Sequence, residues 1–289
     1  MQYLKVDYKN LNINEEVCLT IGNFDGIHKG HNKILEKLKK EARSLNAKSA
    51  ILSFDPHPKF YFDNSQRFLI NSKQKKINIL EQKNIDYLID LKFNQELIDL
   101  SYSDFENKIL YENLKLKKIL IGNDFRYGNK RKGDIETLKS FCEKASILYE
   151  NIDLLEDDKN TKISSTQIRE FLSLGKIEQA NTLLENPFSI KGLVIKGDQR
   201  GRTIGIPTAN LDYPDQIIQL PFGVYAVKIK VEGLDDEGVE EFKELLSKKC
   251  ILFKTGTLSF DVYFDYKKHS SFENMYREKL IYLLEKCKN

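Results

Sequence analysis

Cysteine is scarce in this chain and never comes in pairs. Cys18, Cys142, Cys250 and Cys287 are scattered without a C-x-x-C spacing, which argues against a disulfide framework and against a cysteine metal site. They read as reduced structural thiols. Histidine is equally scarce, with four in 289 residues. No cysteine stands beside the pair His28 and His31, so zinc is the poorer reading of that pair. An excess of one charge sign is lacking too: 46 Lys plus Arg face 43 Asp plus Glu, mixed along the chain, for a net +3. That balance gives no reason to invoke nucleic acid. No apolar run approaches the roughly 18 residues that would suggest a membrane span, and the segment Met1 to Asp7 has no signal-peptide core. The expectation is a cytoplasmic protein with neither nucleic acid nor membrane as partner.

What is present suits a globular protein, with 40% apolar and 11% aromatic residues. At 289 residues the chain exceeds one typical domain, so two domains are expected. The chain is organised around residues 17–31. Val17 to Ile21 form a short apolar run that enters Gly22-Asn23-Phe24-Asp25-Gly26-Ile27-His28-Lys29-Gly30-His31. From His31 to Leu45, Ile34, Leu35, Leu38, Ala42 and Leu45 fall on one helical stripe. The pattern is strand, glycine-bearing loop, helix. Glycines let the backbone approach a ligand, and a helix N-terminus offers free N–H groups and partial positive charge to an anion. Two imidazoles three residues apart at that junction can point at one phosphate chain, although an isolated loop of this kind is more often plain structure.

Further strands are expected at 48–54, 85–91, 118–121 and 146–149, alternating with helices over 73–84 and 94–113. Such alternation argues for a parallel sheet, whose ligands bind at the carboxyl ends of the strands. Three segments fall at those ends. Asp55-Pro56-His57-Pro58 is a stiff, extended exit. Gly122-Asn123-Asp124-Phe125-Arg126-Tyr127-Gly128 sets polar and aromatic groups between two glycines, which alone would be a polar turn. Ile163-Ser164-Ser165-Thr166-Gln167-Ile168-Arg169 opens a helix that runs to about Leu184 with a break at Gly175-Lys176. Its hydroxyls are ordinary N-caps, yet with Arg169 one turn in they also make an anion cradle.

Together these segments resemble the bacterial bifunctional riboflavin kinase/FMN adenylyltransferase family, and the His-x-Gly-His of residues 28–31 resembles that of the wider nucleotidyltransferase superfamily. The family writes the later segments as F-x-P-H-P, G-x-D-F-x-F-G and I-S-S-T-x-I-R. The resemblance implies a Rossmann-like α/β nucleotidyltransferase domain over residues 1–184, which makes FAD from FMN and ATP. It places His28, His31, Ser164 and Arg169 in catalysis. Gly22, Asn23, Phe24, Asp25, Gly26, His57, Asn123, Asp124, Phe125, Ser165 and Thr166 bind nucleotide or flavin, and Phe62 is a further contact. Mg²⁺ arrives on the triphosphate, held mainly by substrate oxygens.

A β-rich pattern starts near residue 185, with strands at 189–196 and 223–231. Between them, Pro207-Thr208-Ala209-Asn210 resembles the riboflavin kinase motif, in a smaller β-barrel domain over 185–289. The resemblance gives Thr208 and Asn210 to Mg²⁺ and Gly201 and Arg202 to the cofactor. Residues 232–249 depart from the pattern with an acidic, helix-like run where the family shows N-I-G-x-R-P-T-F. Asp261 stands where the kinase carries a catalytic glutamate, one methylene shorter. Residues 270–288 fit a capped helix or a late strand equally. Two readings stay open for this half: a kinase taking riboflavin to FMN, or an inactive kinase fold kept for packing or regulation. For the whole chain, a non-catalytic flavin- or nucleotide-binding protein is the alternative. The partners implied are small molecules, for a monomer or weak homo-oligomer.

Overall fold

The computed structural model describes residues 1–63, 67–152, 163–195, 210–221, 227–232 and 259–264. The chain divides into two compact units, Met1–Gln167 with Leu183–Glu185, and Ile168–Thr182 with Asn186–Asn289.

The first unit is built on six strands: β1 (Gln2–Val6), β2 (Ile13–Ile21), β3 (Lys48–Asp55), β4 (Tyr87–Lys92), β5 (Leu114–Gly122) and β6 (Leu148–Ile152). They pair in the order β1-β4-β3-β2-β5-β6, every pair parallel. A parallel sheet covered on both faces needs strands that are apolar on both, and β2 shows how the sequence supplies them. Val17, Leu19 and Ile21 enter one core layer with Leu52, Ile89 and Ile119. Cys18 enters the other, with Ile51, Leu88 and Leu120. Helix α1 (Lys29–Ser44) lays Ile34, Leu35, Leu38 and Ala42 onto that second layer. The chain steps from β2 through β3 to β4 on one side, then returns to set β5 and β6 on the other. The carboxyl ends of β2 and β5 therefore flank a topological switch point, where open α/β sheets bind ligands.

Local chemistry explains where the structure departs from the expected elements. The helix expected over 94–113 is three pieces: α4 (Gln95–Asp99), α5 (Tyr102–Phe105) and a π-helix (Glu106–Tyr111). Leu100 is extended, and the Ser101 hydroxyl captures the N–H of Asp104 as a new N-cap. The strand expected at 146–149 begins two residues later, because Ser146 takes a left-handed turn at φ 56°. Strand β1, where no strand was expected, is carried by its pairing with β4. The exit after β3, expected to be extended, bends at Pro56, which follows a cis peptide bond from Asp55, and Pro58 then opens a short helix, α2 (Pro58–Asp63), since a proline at the first helical position lacks only an N–H that would go unpaired. Helix α3 (Lys73–Gln82) lies where expected, with Ser72 as its N-cap.

Helices α7 (Ser165–Ser173) and α8 (Ile177–Leu183) are separated at the anticipated break, Gly175. In the second unit β7 (Ser189–Ile195), β8 (Asn210–Leu211), β9 (Val227–Glu232) and β10 (Ser259–Phe264) form an antiparallel sheet in the order β8-β7-β10-β9. Among the described residues, no helix is long and apolar enough to cross a membrane.

Cys18 and Cys142 are free and fully buried, and burial pushes their thiols up to about 11 and about 12. Near neutral pH both stay protonated and shielded. In a native labelling experiment read by mass spectrometry, neither is expected to take up a maleimide until the chain is unfolded.

Candidate active site

Helix α1 begins at the switch point, and His28 is its N-cap. With φ −78° and ψ 170°, His28 is extended, and its Nδ1 accepts the N–H of His31 at 3.2 Å. A neutral imidazole that accepts at Nδ1 carries its proton at Nε2 and so presents a donor there. The His31 ring stacks on it with centroids 3.7 Å apart and planes 17° from parallel. On the other side His31 meets the Phe24 ring at 4.7 Å. Phe24 and His28 are buried, whereas His31 is half-buried. A Cβ at Gly30 would come 3.0 Å from His28 Nδ1, so any larger residue there would push on the His28 ring. The result is a stacked imidazole pair on the positive end of a sixteen-residue helix, an arrangement suited to an anion.

Asp25 joins this loop to two other segments. Its carboxylate accepts the backbone N–H of Ile70 at 3.0 and 3.1 Å and that of Asn71 at 3.2 Å, so it is turned into the protein. The Asp25 carbonyl accepts the Ser165 hydroxyl at 2.8 Å. Gly26, at φ +85°, lets the chain turn against Ile70, where a Cβ would meet the Ile70 side chain at 3.0 Å. The Ser164 hydroxyl accepts the N–H of Gln167 and caps α7. Ser164, Ser165 and exposed Thr166 are thereby brought to the histidine loop, although 133 residues separate Ser164 from His31 in the sequence. Arg169 lies one turn further along α7, within the second compact unit. The buried atoms Asn23 Oδ1, Asn71 Nδ2 and Gln167 Oε1 have no hydrogen-bond partner among the described residues, and each lies within two residues of a group bonded by Asp25 or of Asp25 itself.

After β3, His57 Nδ1 accepts the N–H of Lys59, and its ring meets Phe68 at 4.9 Å. Phe62 is exposed, in edge contact with Tyr61 and Phe93. Asp55 is held by Lys73 at 2.5 Å and Lys5 at 2.7 Å. Burial pushes its carboxyl up, but the two lysines outweigh this and hold it below the usual range. In the loop after β5, Asn123 and Asp124 are exposed and Phe125 stacks on Tyr127 at 5.3 Å. The Tyr127 hydroxyl donates to the buried Glu106 carboxylate on the π-helix, and Arg126 pairs with Asp134 at 2.9 Å. Burial raises the Glu106 carboxyl, against the lowering effect of the Tyr127 hydroxyl.

The family model for FAD synthetase matches residues 10–167, and that for riboflavin kinase matches residues 184–278. A relative in Buchnera aphidicola subsp. Schizaphis graminum, named bifunctional riboflavin kinase/FMN adenylyltransferase, is 36% identical over 96% of this chain and 87% of its own length. The chain belongs to the bifunctional riboflavin kinase/FMN adenylyltransferase family. A member of the same name in Bacillus subtilis is 39% identical over 76% of this chain and 70% of its own. The riboflavin kinase match runs on past residue 231, where the recognisable motifs stop. A Streptococcus pneumoniae crystal structure named as a macrolide-efflux protein superposes with a TM-score of 0.76 at 24% identity, covering 96% of each chain, and so shares the fold.

In the second unit, Asp261 lies within β10, directly opposite Lys191 on β7 and Lys230 on β9 in the backbone register. Asn210 begins β8. Gly201, Arg202 and Thr208, the acidic run after Glu232 and the segment 270–288 lie outside the described residues. Two features of the first unit were not expected from the sequence: the Ile70 and Asn71 amides that donate to Asp25, and the Lys73–Asp55 pair. Backbone N–H groups carry no sequence signature. Asn71-Ser72, a pair of cap-forming residues before a helix, was the available hint.

Proposed function

We propose that this chain transfers AMP from ATP to FMN at the His28–His31 loop, and that its second half phosphorylates riboflavin to FMN with ATP. The first domain is assigned to residues 1–184 and the second, a β-barrel of riboflavin kinase type, to 185–289. The observation that carries the reading is the Asp25 clasp, which sets the Ser164–Thr166 hydroxyls beside a stacked imidazole pair at a helix N-terminus.

The chemistry follows from those groups. A phosphate oxygen of FMN attacks the α-phosphorus of ATP, and the bond to the bridging oxygen breaks to release pyrophosphate. The nucleophile is already an anion, so the barrier is dominated by charge repulsion and placement rather than by proton removal. His28 and His31 donate to phosphoryl oxygens as charge builds on them, and the α1 N-terminus adds its partial charge. Ser164, Ser165, Thr166 and Arg169 are assigned to the leaving pyrophosphate, where a guanidinium can hold two oxygens at once. Gly22, Asn23 and Gly26 let the loop approach the nucleotide. Phe24 and Asp25, being buried, support the loop from beneath. His57, Phe62, Asn123, Asp124 and Phe125 are assigned to the flavin side.

Magnesium enters with ATP as part of the substrate. Among the described residues no group of three or more His, Cys, Asp or Glu side chains could hold a metal. Thr208 and Asn210 are the proposed contacts for the ion that accompanies ATP in the kinase half, with Asp261 as the base for the riboflavin hydroxyl. We place the protein in the cytoplasm, as a monomer or weak homo-oligomer acting on diffusible substrates.

The test is chromatographic: purified protein with Mg²⁺ and ATP receives FMN in one tube and riboflavin in another, and the flavins are separated. FAD is expected from both. FAD from FMN with riboflavin untouched would remove the kinase half of the proposal, and no FAD in either tube would remove all of it.

A further inference from the structure

Residues 70–76 form a strap between two loops that the proposed function assigns to substrates. At one end, the N–H groups of Ile70 and Asn71 are held by the carboxylate of Asp25 in the His28–His31 loop. At the other, Lys73 in the first turn of α3 reaches Asp55, two residues before His57. Between them Ser72 caps α3 by accepting the N–H of Lys75 at 3.2 Å.

The strap is anchored on a buried polar cluster centred on Asp90. Asp90 on β4 is almost wholly buried, and Ser53 on β3 donates its hydroxyl to it. Tyr3 on β1 donates to Asp90 at 3.1 Å, while Lys76 reaches Asp90 at 3.4 Å and the Ser53 hydroxyl at 3.0 Å. Lys73 stands 3.7 Å from Asp90 and 2.5 Å from Asp55. Lys76 therefore belongs to the buried anchor, with its side chain 13% exposed, whereas Lys73 is 39% exposed and leans outward to the His57 segment. Removing Lys73 leaves Asp55 with Lys5 and leaves Asp90 with Lys76, Ser53 and Tyr3. No buried charge is stranded, so the fold is retained.

We propose that Lys73 is a positioning residue: through Asp55 it fixes the direction of the Pro56-His57-Pro58 segment relative to the Asp25 loop, and so presets the flavin side of the site for binding. This rests on the reading of the His57 segment as flavin-facing. A preset loop strengthens the binding of its own substrate equally in the ground and transition states, so its loss shows in the Michaelis constant for FMN and not in that for ATP.

The experiment measures FMN adenylyl transfer with Lys73→Met, Lys73→Arg and His57→Ala in the full chain, with the KM for FMN and for ATP and kcat each determined, and melting followed in parallel. Lys73→Met is expected to raise the KM for FMN by about tenfold while the KM for ATP and kcat stay within about twofold, as loss of binding shared by ground and transition states requires. Lys73→Arg is expected to restore the FMN value, since a guanidinium also pairs with Asp55. If His57→Ala raises the KM for FMN and Lys73→Met does not, the strap does no positioning and the proposal falls. If neither variant moves it, the flavin-facing reading of the segment fails and takes the proposal with it. Equal rises in both Michaelis constants with a lowered melting temperature would also overturn it, since that pattern is general loosening.

Discussion

Replacing His28 by alanine lowers kcat for FAD formation by about 10²–10³-fold, the cost of removing one well-placed donor to a developing oxyanion. The size of the effect follows from how the ring is held. Its Nδ1 is engaged by the N–H of His31, its face is stacked on the His31 ring, and it is buried. Three independent constraints fix the Nε2–H vector, so little reorganisation is needed when charge appears. The substitution also removes a helix cap, which by itself costs about 1 kcal/mol of stability. His28→Asn separates the two effects, because asparagine is among the best N-caps and carries no imidazole. The expected result is a melting temperature near that of the wild type with the same deep loss of kcat, measured by flavin chromatography and by thermal unfolding. Retention of kcat within about fivefold in the asparagine variant would show that capping, not donation, is what His28 provides.

Asp25→Ala destabilises the first unit by on the order of 3–5 kcal/mol, because it leaves the N–H groups of Ile70 and Asn71 buried without their acceptor at about 1–3 kcal/mol each and opens a small void. Among the described residues, both amides donate to this one carboxylate. The loss should appear as a lower denaturant midpoint and as faster hydrogen exchange at Ile70 and Asn71. Activity falls with it, since the Ser165 hydroxyl is fixed through the same residue's carbonyl. Asp25→Asn is expected to lie between, because its amide offers one oxygen but sets an NH₂ against a second donor. Unchanged exchange at the two amides in the alanine variant would mean that the 70–76 segment is held from elsewhere.

These two residues also mark how far the sequence could be read. The strand, loop and helix around Gly22 to His31 were legible because everything they need is local: an apolar run, glycines at the close approaches, a histidine cap and a stripe at helical spacing. The parallel sheet followed from apolar strands alternating with helices, and the family from four motifs in order. His28, His31, Ser164 and Arg169 could be named for the same reason.

The role of Asp25 could not, because an aspartate between glycines looks alike whether its carboxylate faces a ligand or the chain 45 residues away. The broken helix at 95–111 was decided by Ser101 choosing to cap rather than continue, a local competition that periodicity does not resolve. The strand at 2–6 was decided by its partner β4, and the short helix at 58–63 by Pro58 at a first-turn position. What the sequence by itself determined was the longer elements with their apolar faces, and the family, since these depend on residue type and short spacing. The tertiary structure alone decided which backbone amides meet which carboxylates, and thus which buried polar groups hold the loops in place. Hydrogen bonds across the sheet join positions whose separation in the chain carries no pattern.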